Sequence, residues 1–294
     1  MKMKARSQWR WTGWKAVVLA AGMLGWPLGA GAYPQRIISM SPHFTEILYD
    51  IGAQDRLVGV TDFCKFPPEA RTKPKVGGLF NPNFEAVVAL KPDLVLLVPF
   101  YGQTIESFKR LGIPVLVKDD SSLKDIWDTY DALGKALGLE SQARAASAKL
   151  KTRLDRVSQK ARTRKPVSIL FVVGHNIGEI ERIYAAGDRS FVGEIIRLSG
   201  GDNILKGTSV SFPLVSKERM IKEDPDVIVD CMPSDEATPD TVERARAAWA
   251  RLPSLRAVRE GRLYFLKQDE FTIPGPTVVG LAEYLSGLFD EAQK

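Results

Sequence analysis

The sequence predicts an α/β fold of two similar lobes, each built on a parallel β-sheet, joined by a single long helix. Strand-length apolar runs alternate with helical patterns from residue 36 onward, which is the order found in doubly wound sheets. One unit of sequence occurs twice, once in each half. Between the two copies, residues 140–163 contain neither Gly nor Pro and are rich in strong helix formers.

The repeated unit opens with a helix-capping residue, Asn83 in one copy and Ser216 in the other. A glutamate follows two positions later, Glu85 or Glu218, and a Pro-Asp pair begins seven positions after the glutamate. The cap side chain accepts a hydrogen bond from a free backbone amide, and the helix dipole favours an anion in the first turn. Proline then ends the helix, and the apolar run that follows predicts a buried strand in each lobe.

Residues 1–32 have the pattern of a secretory signal peptide. Five basic residues and no acidic residue accompany an apolar run that ends at small residues before Tyr33. An uncleaved anchor is the alternative, although the run is short and Gly-rich for a membrane span. Because no cysteine follows the run, a lipoprotein anchor is not expected. We therefore expect cleavage after export and a periplasmic location.

The charge balance argues against a nucleic-acid partner. The chain has 41 Lys and Arg against 35 Asp and Glu, and five of the basic residues lie in the predicted signal peptide. The remaining chain is close to neutral, so the basic character comes largely from the leader. Its length is sufficient for two lobes of ordinary domain size.

The first lobe is expected at residues 33–139. Strands are predicted at 36–40, 56–61, 94–98 and 114–118, with helices beginning near Ser41, Asn83 and Thr104 and a further helix over 123–137. A long loop rich in Pro and Gly covers residues 63–83. A loop of this length in a compact domain is usually functional.

The connecting helix is expected at 140–164, uninterrupted and therefore stiff. The second lobe, expected at 165–294, repeats the order of the first. Strands are predicted at 167–173, 227–229 and 263–266, helices at 191–198, 241–249 and from Thr277, and a turn at 184–188. Ligands bind beyond the carboxyl ends of parallel strands, so the loops there are the candidate site.

Enzyme motifs are absent from the sequence. It has no Gly-x-x-x-x-Gly-Lys-Ser/Thr loop, no Gly-x-Gly-x-x-Gly after a strand and no Gly-x-Ser-x-Gly elbow. The two histidines are too far apart for a His-Glu-x-x-His zinc site, and the pair Asp119-Asp120 is typical of a solvated turn. We expect a binding protein with no cofactor or metal of its own. An exported α/β enzyme is the remote alternative.

Aromatic residues are frequent in the predicted strand-end loops. Isolated aromatics mostly belong to a core, but Phe63, Phe80, Tyr101 and Phe212 stand in loops that carry Gly or Pro and are candidates for a ligand cleft. Such a lining suits a large, flat, partly apolar ligand.

His43 and His175 fall at predicted strand-end loops, one in each lobe. They could face each other and bind a metal-containing ligand through neutral imidazole; the alternative is two histidines bonded to backbone or water. Cys64 and Cys231 also lie in different halves. A periplasmic setting permits a disulfide between them, and two free thiols are the other possibility.

Several stretches resemble the periplasmic substrate-binding proteins of cobalamin and iron-siderophore ABC importers, most closely the cobalamin-binding members. In the first lobe these stretches are RIISMSP (36–42) with Thr45-Glu46, FPPEA (66–70), KVGG (75–78) and ALKPDLV (89–95). In the second lobe they are YAAGD (184–188) and SGGDN (199–203). The resemblance runs along nearly all of the chain after residue 32 and is strongest in residues 36–98.

The resemblance implies two Rossmann-like lobes on a rigid backbone helix, the architecture of helical-backbone metal receptors, with the ligand cleft between the lobes. It implies that Glu85 and Glu218 dock onto arginines of a membrane permease, which works with a cytoplasmic ATPase. It adds Leu79 and Asp269 to the candidate pocket residues. The cobalamin-binding members line their cleft with tryptophans, whereas Trp127 and Trp249 here lie in predicted helices.

From this resemblance we expect a monomer that captures a cobalt corrinoid and delivers it to an ABC importer. A ferric siderophore, a haem or another metal chelate is the alternative ligand.

Overall fold

The first sheet has four parallel strands in the computed structural model, which describes residues 33–100, 102–232, 236–267 and 271–294. The predicted signal peptide, Tyr101 and Asp269 lie outside these residues. The strands are β1 Ile37–Ser39, β2 Leu57–Val60, β3 Leu94–Leu97 and β4 Val115–Val117, in the order β2-β1-β3-β4. This confirms the parallel sheet predicted for the first lobe.

Helices cover both faces of the first sheet, as expected for parallel strands with buried residues on either side. They are α1 Pro42–Asp50, α2 Phe84–Ala89 and α3 Gly102–Arg110, with short 3₁₀ turns at Gln54–Arg56 and Pro68–Thr72. Ile37 and Leu96 belong to one buried cluster, and Ile38 and Val95 belong to another. The strands therefore alternate between two cores.

Two long helices follow the first sheet: α4 Leu123–Leu137 and α5 Glu140–Ala161. Ser122 and Asp125 form a capping box at the start of α4, and Gly138 ends it with φ of 68°, in the left-handed region that favours glycine. The uninterrupted helix predicted after residue 140 is confirmed. Its buried apolar side chains share a core with both sheets; they are Ala143, Leu150, Leu154 and Val157.

The second sheet contains the predicted parallel strands, but two further strands make it a mixed sheet. Its strands are β5 Val167–Gly174, β6 Ile183–Ala185, β7 Gly201–Asn203, β8 Leu214–Val215, β9 Val227–Met232 and β10 Leu263–Lys267. Strands β10, β9, β5 and β7 are parallel, whereas β6 runs antiparallel to β5 and to β8. The connection from β5 to β6 is too short for a parallel crossover, which needs about a dozen residues. The predicted turn at 184–188 accordingly begins inside β6.

The remaining helices are α6 Phe191–Leu198, α7 Lys217–Glu223, α8 Pro239–Trp249, α9 Arg256–Arg259 and α10 Val278–Glu291. Residues Tyr33–Lys294 form one compact unit. The two sheets are therefore lobes of one body, and the lobe limits at residues 139 and 164 stay a prediction. In the part of the chain that the structure describes, no helix is long and apolar enough to cross a membrane.

Both copies of the repeated unit fold alike at their start. The Asn83 side chain accepts a hydrogen bond from the Ala86 amide at 3.0 Å, and the Ser216 hydroxyl accepts one from the Arg219 amide at 3.3 Å. These contacts confirm the two predicted N-caps, each with its glutamate in the first turn.

The copies also share features at the helix end that the sequence pattern did not reveal. The residue before the proline has a positive φ in both, 47° at Lys91 and 40° at Asp224. The aspartate after the proline then binds the start of the neighbouring central strand. Asp93 accepts from the Arg36 amide at 2.8 Å, and Asp226 accepts from the Ser168 amide at 3.1 Å. The Pro-Asp pair therefore fixes the register of β1 and β5 as well as ending a helix.

Candidate functional site

The candidate site in the first lobe lies in two loops beyond the end of β2. The Asp62 amide donates to the Gly77 carbonyl at 3.1 Å, which holds the loop after β2 against the following Gly-rich turn. A Cβ on Gly78 would lie 3.6 Å from the Phe63 ring, so that ring covers the backbone just before Leu79 and Phe80. The structure thus brings together three of the predicted ligand-binding residues.

These side chains present apolar surface to solvent. Phe63 is 53% exposed and Phe80 is 85% exposed, while Leu79 is half-buried. Phe66 and Phe100 are also exposed in strand-end loops of this lobe. The sequence places both among the loop aromatics but does not single them out, because exposure cannot be read from it. Exposed apolar surface is often found at binding sites, so these loops are the candidate binding surface of the first lobe.

The candidate surface of the second lobe is the loop that carries Phe212, which is 42% exposed. The Gly187 amide donates to the Ser211 carbonyl at 2.8 Å, and a Cβ on Gly187 would lie 2.4 Å from the Val210 carbonyl oxygen. The loop therefore packs directly against the backbone of Gly187, where there is no room for a larger residue. Val210 and Leu214 add exposed apolar surface that sequence reasoning missed.

His43 is buried at the start of α1 and does not present a free ring to solvent. Its Nδ1 lies 2.9 Å from the Ser41 hydroxyl and 3.8 Å from the Asp120 carboxylate. Burial lowers the pKa of His43 to about 3, so the ring is neutral at physiological pH. Its Nε2 is buried without a hydrogen-bond partner among the described residues.

His175 turns its ring into the second lobe and pairs with Asp230. Its Nε2 lies 2.9 Å from the Asp230 carboxylate, and its Nδ1 lies within 3.0 Å of the Asn176 and Glu179 carbonyl oxygens. The Trp249 indole donates to the same carboxylate at 2.7 Å. Burial disfavours the charged ring, but the Asp230 carboxylate and the carbonyl oxygens of Asn176 and Glu179 together outweigh it and raise the pKa of His175.

The structure does not bring the two histidines together as free ligands, because each is engaged within its own lobe. In the described residues no group of three His, Cys, Asp or Glu side chains is placed to hold a metal ion. Cys64 and Cys231 are both buried as free thiols, which resolves the alternatives left open for them. Burial raises the pKa of both thiols.

A buried contact between the lobes involves Glu46, whose role the sequence pattern does not indicate. The Thr277 hydroxyl donates to Glu46 Oε2 at 3.2 Å, and a Cβ on Gly275 would lie 2.8 Å from the same oxygen. Burial raises the pKa of Glu46 to about 8, with Asp50 adding to the effect and Thr277 opposing it. The carboxyl is therefore protonated at neutral pH and joins α1 to the segment before α10.

Replacing Glu46→Gln is expected to stabilise the protein at pH 8. A carboxyl whose pKa rises from 4.5 to about 8 on folding binds a proton only in the folded state across that interval, so stability falls as pH rises through it. We expect the variant to gain on the order of 2 kcal/mol at pH 8 and nothing at pH 4.5. Urea unfolding at both pH values measures this; an equal effect at the two would contradict the buried, protonated carboxyl.

Glu85 and Glu218 are both exposed, in the first turns of α2 and α7. Hydrogen bonds from its own backbone amide and the Ser216 hydroxyl lower the pKa of the Glu218 carboxyl. Neither carboxylate forms an ion pair within the described part of the chain. Val88 and Ile221 are exposed on the same two helices. Each lobe therefore presents an available carboxylate with an apolar neighbour.

The sequence matches the model of the family described as periplasmic binding protein over residues 37–270. The uncharacterized ABC transporter substrate-binding lipoprotein YvrC of Bacillus subtilis is 29% identical over 89% of this chain and 82% of its own length. The vitamin B12-binding protein of Vibrio parahaemolyticus is 28% identical over 82% of this chain and 84% of its own.

The fold also matches a solved structure, the periplasmic heme-binding protein RhuT from Roseiflexus sp. RS-1, with a TM-score of 0.75. The match covers 90% of this chain and all of that one, at 23% identity. At this identity the likeness concerns the fold alone. The family model, in contrast, covers most of the sequence and both candidate loops, and the chain therefore belongs to the periplasmic binding protein family.

Proposed function

We propose that this protein captures a corrinoid between its lobes in the periplasm and delivers it to an ABC importer permease, without chemical turnover. The observation that carries the proposal is the relative of 28% identity named as a vitamin B12-binding protein, aligned over four fifths of both chains. The relative named as an ABC transporter substrate-binding protein supports the permease as partner.

The exposed aromatic loops suit a ligand of this size and shape. Phe63 and Phe80 on one lobe and Phe212 on the other offer ring faces to a flat, partly apolar macrocycle. Leu79 and Asp269 remain proposed pocket residues on the strength of the resemblance, and Tyr101 remains one because its loop carries Gly and Pro. Trp127 is in α4 and Trp249 is in α8, where its indole binds Asp230. Phenylalanine therefore replaces indole as the apolar wall of the proposed cleft.

Cobalamin is expected to bind the purified protein in a saturable, one-to-one titration. Phe80→Ala should weaken binding roughly thirtyfold, because burying an exposed aromatic side chain contributes about 2 kcal/mol. Leu111→Ala is the matched control, since Leu111 is exposed just after α3, beside the amino end of β4. Calorimetry or absorbance titration measures both variants. No saturable binding at micromolar cobalamin would remove cobalamin as the ligand.

Haem is the second candidate ligand, favoured by the solved heme-binding protein that shares the fold. A planar macrocycle fits the same aromatic loops, and a ferric siderophore or another chelate belongs to the same class. A shift of the haem Soret band on adding the protein, together with a higher affinity for haem than for cobalamin, would favour this candidate. His43→Ala would test ligation by that ring, whose Nε2 has no partner among the described residues. His175 would first have to leave Asp230.

We also propose that Glu85 and Glu218 dock onto cationic side chains of the permease. The two carboxylates are exposed, one on each lobe, at the same position of a repeated unit. A carboxylate–guanidinium contact can be bidentate, which gives orientation as well as attraction. Two such contacts on separate lobes would fix how the protein sits on its partner.

A further inference from the structure

A pocket of about 570 Å³ lies between the lobes, against the side of α5. The first lobe contributes Asp50 and Phe66, and the second contributes Phe271 and Thr277. The volume is within the range of about 300–1,000 Å³ that small-molecule sites occupy. The pocket therefore has the size for a ligand and is built from three parts of the chain.

This pocket has a different lining from the one proposed for the corrinoid. Its lining includes Phe66 but none of the residues predicted to bind the ligand that the structure describes; these are Phe63, Leu79, Phe80, Phe212, His43 and His175. It lies beside the contact between Glu46 and Thr277, because Thr277 belongs to both.

The walls of the pocket are largely apolar and preformed. Phe66 is 45% exposed, so one aromatic face is available to a ligand. Phe271 stacks on Tyr284 with ring centroids 5.9 Å apart, and a Cβ on Gly280 would lie 3.1 Å from the Phe271 ring. Contacts on two sides hold that ring in place, so little side-chain entropy would be sacrificed on binding.

Two cationic side chains, Lys149 and Arg153, line the same pocket. Lys149 is exposed and has no ion-pair partner within the described ranges. Arg153 binds Glu283 through Nε and Nη2 at 2.9 and 2.7 Å, which leaves its Nη1 available. Asp50 is the one acidic side chain among the described residues of the lining, and it already accepts the Tyr130 hydroxyl. An anionic group would therefore find two donors, and Asp50 and Glu283 already have partners.

We propose that this pocket binds a small amphipathic carboxylate. The apolar body lies between Phe66 and Phe271, and the carboxylate lies at Lys149 and Arg153 Nη1. Because the ligand contacts both lobes and α5 at once, it favours the lobe arrangement in which the pocket exists.

Decanoate titrated into the corrinoid-free protein by calorimetry tests the proposal. We expect saturable binding of one decanoate, with decanol weaker because it has no charge and acetate weaker because it has no apolar body. Lys149→Glu should weaken decanoate binding roughly tenfold, the scale expected when a partly exposed attraction between charges becomes a repulsion. Ala146→Phe, which fills the pocket from α5, should abolish it. Lys151→Glu, the same charge change two residues on, should leave it unchanged.

Thermal melting of each variant confirms that it is folded. The proposal is overturned if decanoate does not saturate, or if it binds the Lys149→Glu and Ala146→Phe proteins as well as the parent. It is also overturned if cobalamin or haem competes with decanoate for a shared site. Because the titration needs no corrinoid, its failure would leave the proposed transport function untouched, and the reverse also holds.

Discussion

The double variant Glu85→Arg/Glu218→Arg is expected to bind cobalamin as the parent does and to lose most of its affinity for the permease complex. Both carboxylates are exposed, and no described ion pair holds them, so they are available to a partner. Reversing them would place cation against cation at two docking points. Removing one member of a charge pair that is desolvated in a complex costs about 2–5 kcal/mol, so we expect at least a hundredfold weaker affinity, on the order of 3 kcal/mol.

The docking assignment is tested by measuring the affinity of the protein for the permease–ATPase complex in lipid nanodiscs at two salt concentrations. The parent affinity should fall with salt, and the variant should show a weaker dependence. Glu69→Arg/Glu223→Arg is the matched control. Both glutamates are exposed, and Glu223 lies at the other end of the helix that carries Glu218. Equal permease affinity in the parent and the Glu85/Glu218 variant would refute the docking assignment.

The repeated unit shows how far sequence reasoning could go. Caps, first-turn glutamates and the stop at proline depend on neighbours in sequence, and both copies fold as the pattern predicts. From the sequence, the aspartates after the prolines could be interpreted only as part of the signal that ends the helix. Their binding of the Arg36 and Ser168 amides joins residues more than 50 positions apart. No local pattern carries that information.

The same limit applies to the candidate site. Phe63, Phe80 and Phe212 could be selected because Gly and Pro placed them in loops, and their exposure agrees with that choice. The histidines could not be assigned, because a ring at a strand end can point outward or into its own lobe. Glu46 was missed for a related reason: its partner Thr277 is 231 positions away. The antiparallel strand β6 was not predicted: residues 184–188 were expected to form a turn, and a strand of three residues gives too short an apolar pattern to be recognised.

The buried pair His175–Asp230 is expected to be the most sensitive point of the second lobe. Replacing His175→Ala leaves Asp230 fully buried, with the Trp249 indole as its remaining hydrogen-bond donor among the described side chains. Removing one partner of a buried ion pair costs about 3–5 kcal/mol, because an uncompensated charge stays in the interior. We expect a decrease of that size in the free energy of unfolding at pH 6.

The double variant His175→Ala/Asp230→Asn should recover part of this decrease. Asparagine has nearly the shape of aspartate and still accepts from the Trp249 indole, but it leaves no charge unpaired. The difference between the single and double variants isolates the cost of the lone carboxylate. Urea unfolding followed by circular dichroism gives all the free energies, and a decrease below about 1 kcal/mol in His175→Ala would contradict a charged buried pair.

The dependence on pH provides an independent check of the same pair. The pKa of His175 is raised above its ordinary value of 6.5 in the folded protein. Its contribution to stability is therefore fully present below pH 6.5 and is lost as pH rises through the folded pKa. Deprotonation of Glu46 also lowers stability as pH rises from 4.5 to about 8. The pH dependence of the parent protein therefore cannot separate the contribution of His175 from that of Glu46. The variants Glu46→Gln and Glu46→Gln/His175→Ala remove this difficulty, because neither has a carboxyl at position 46. The difference between their free energies of unfolding should decrease as pH rises above 6.5. A difference that does not change with pH would mean that folding does not raise the pKa of His175.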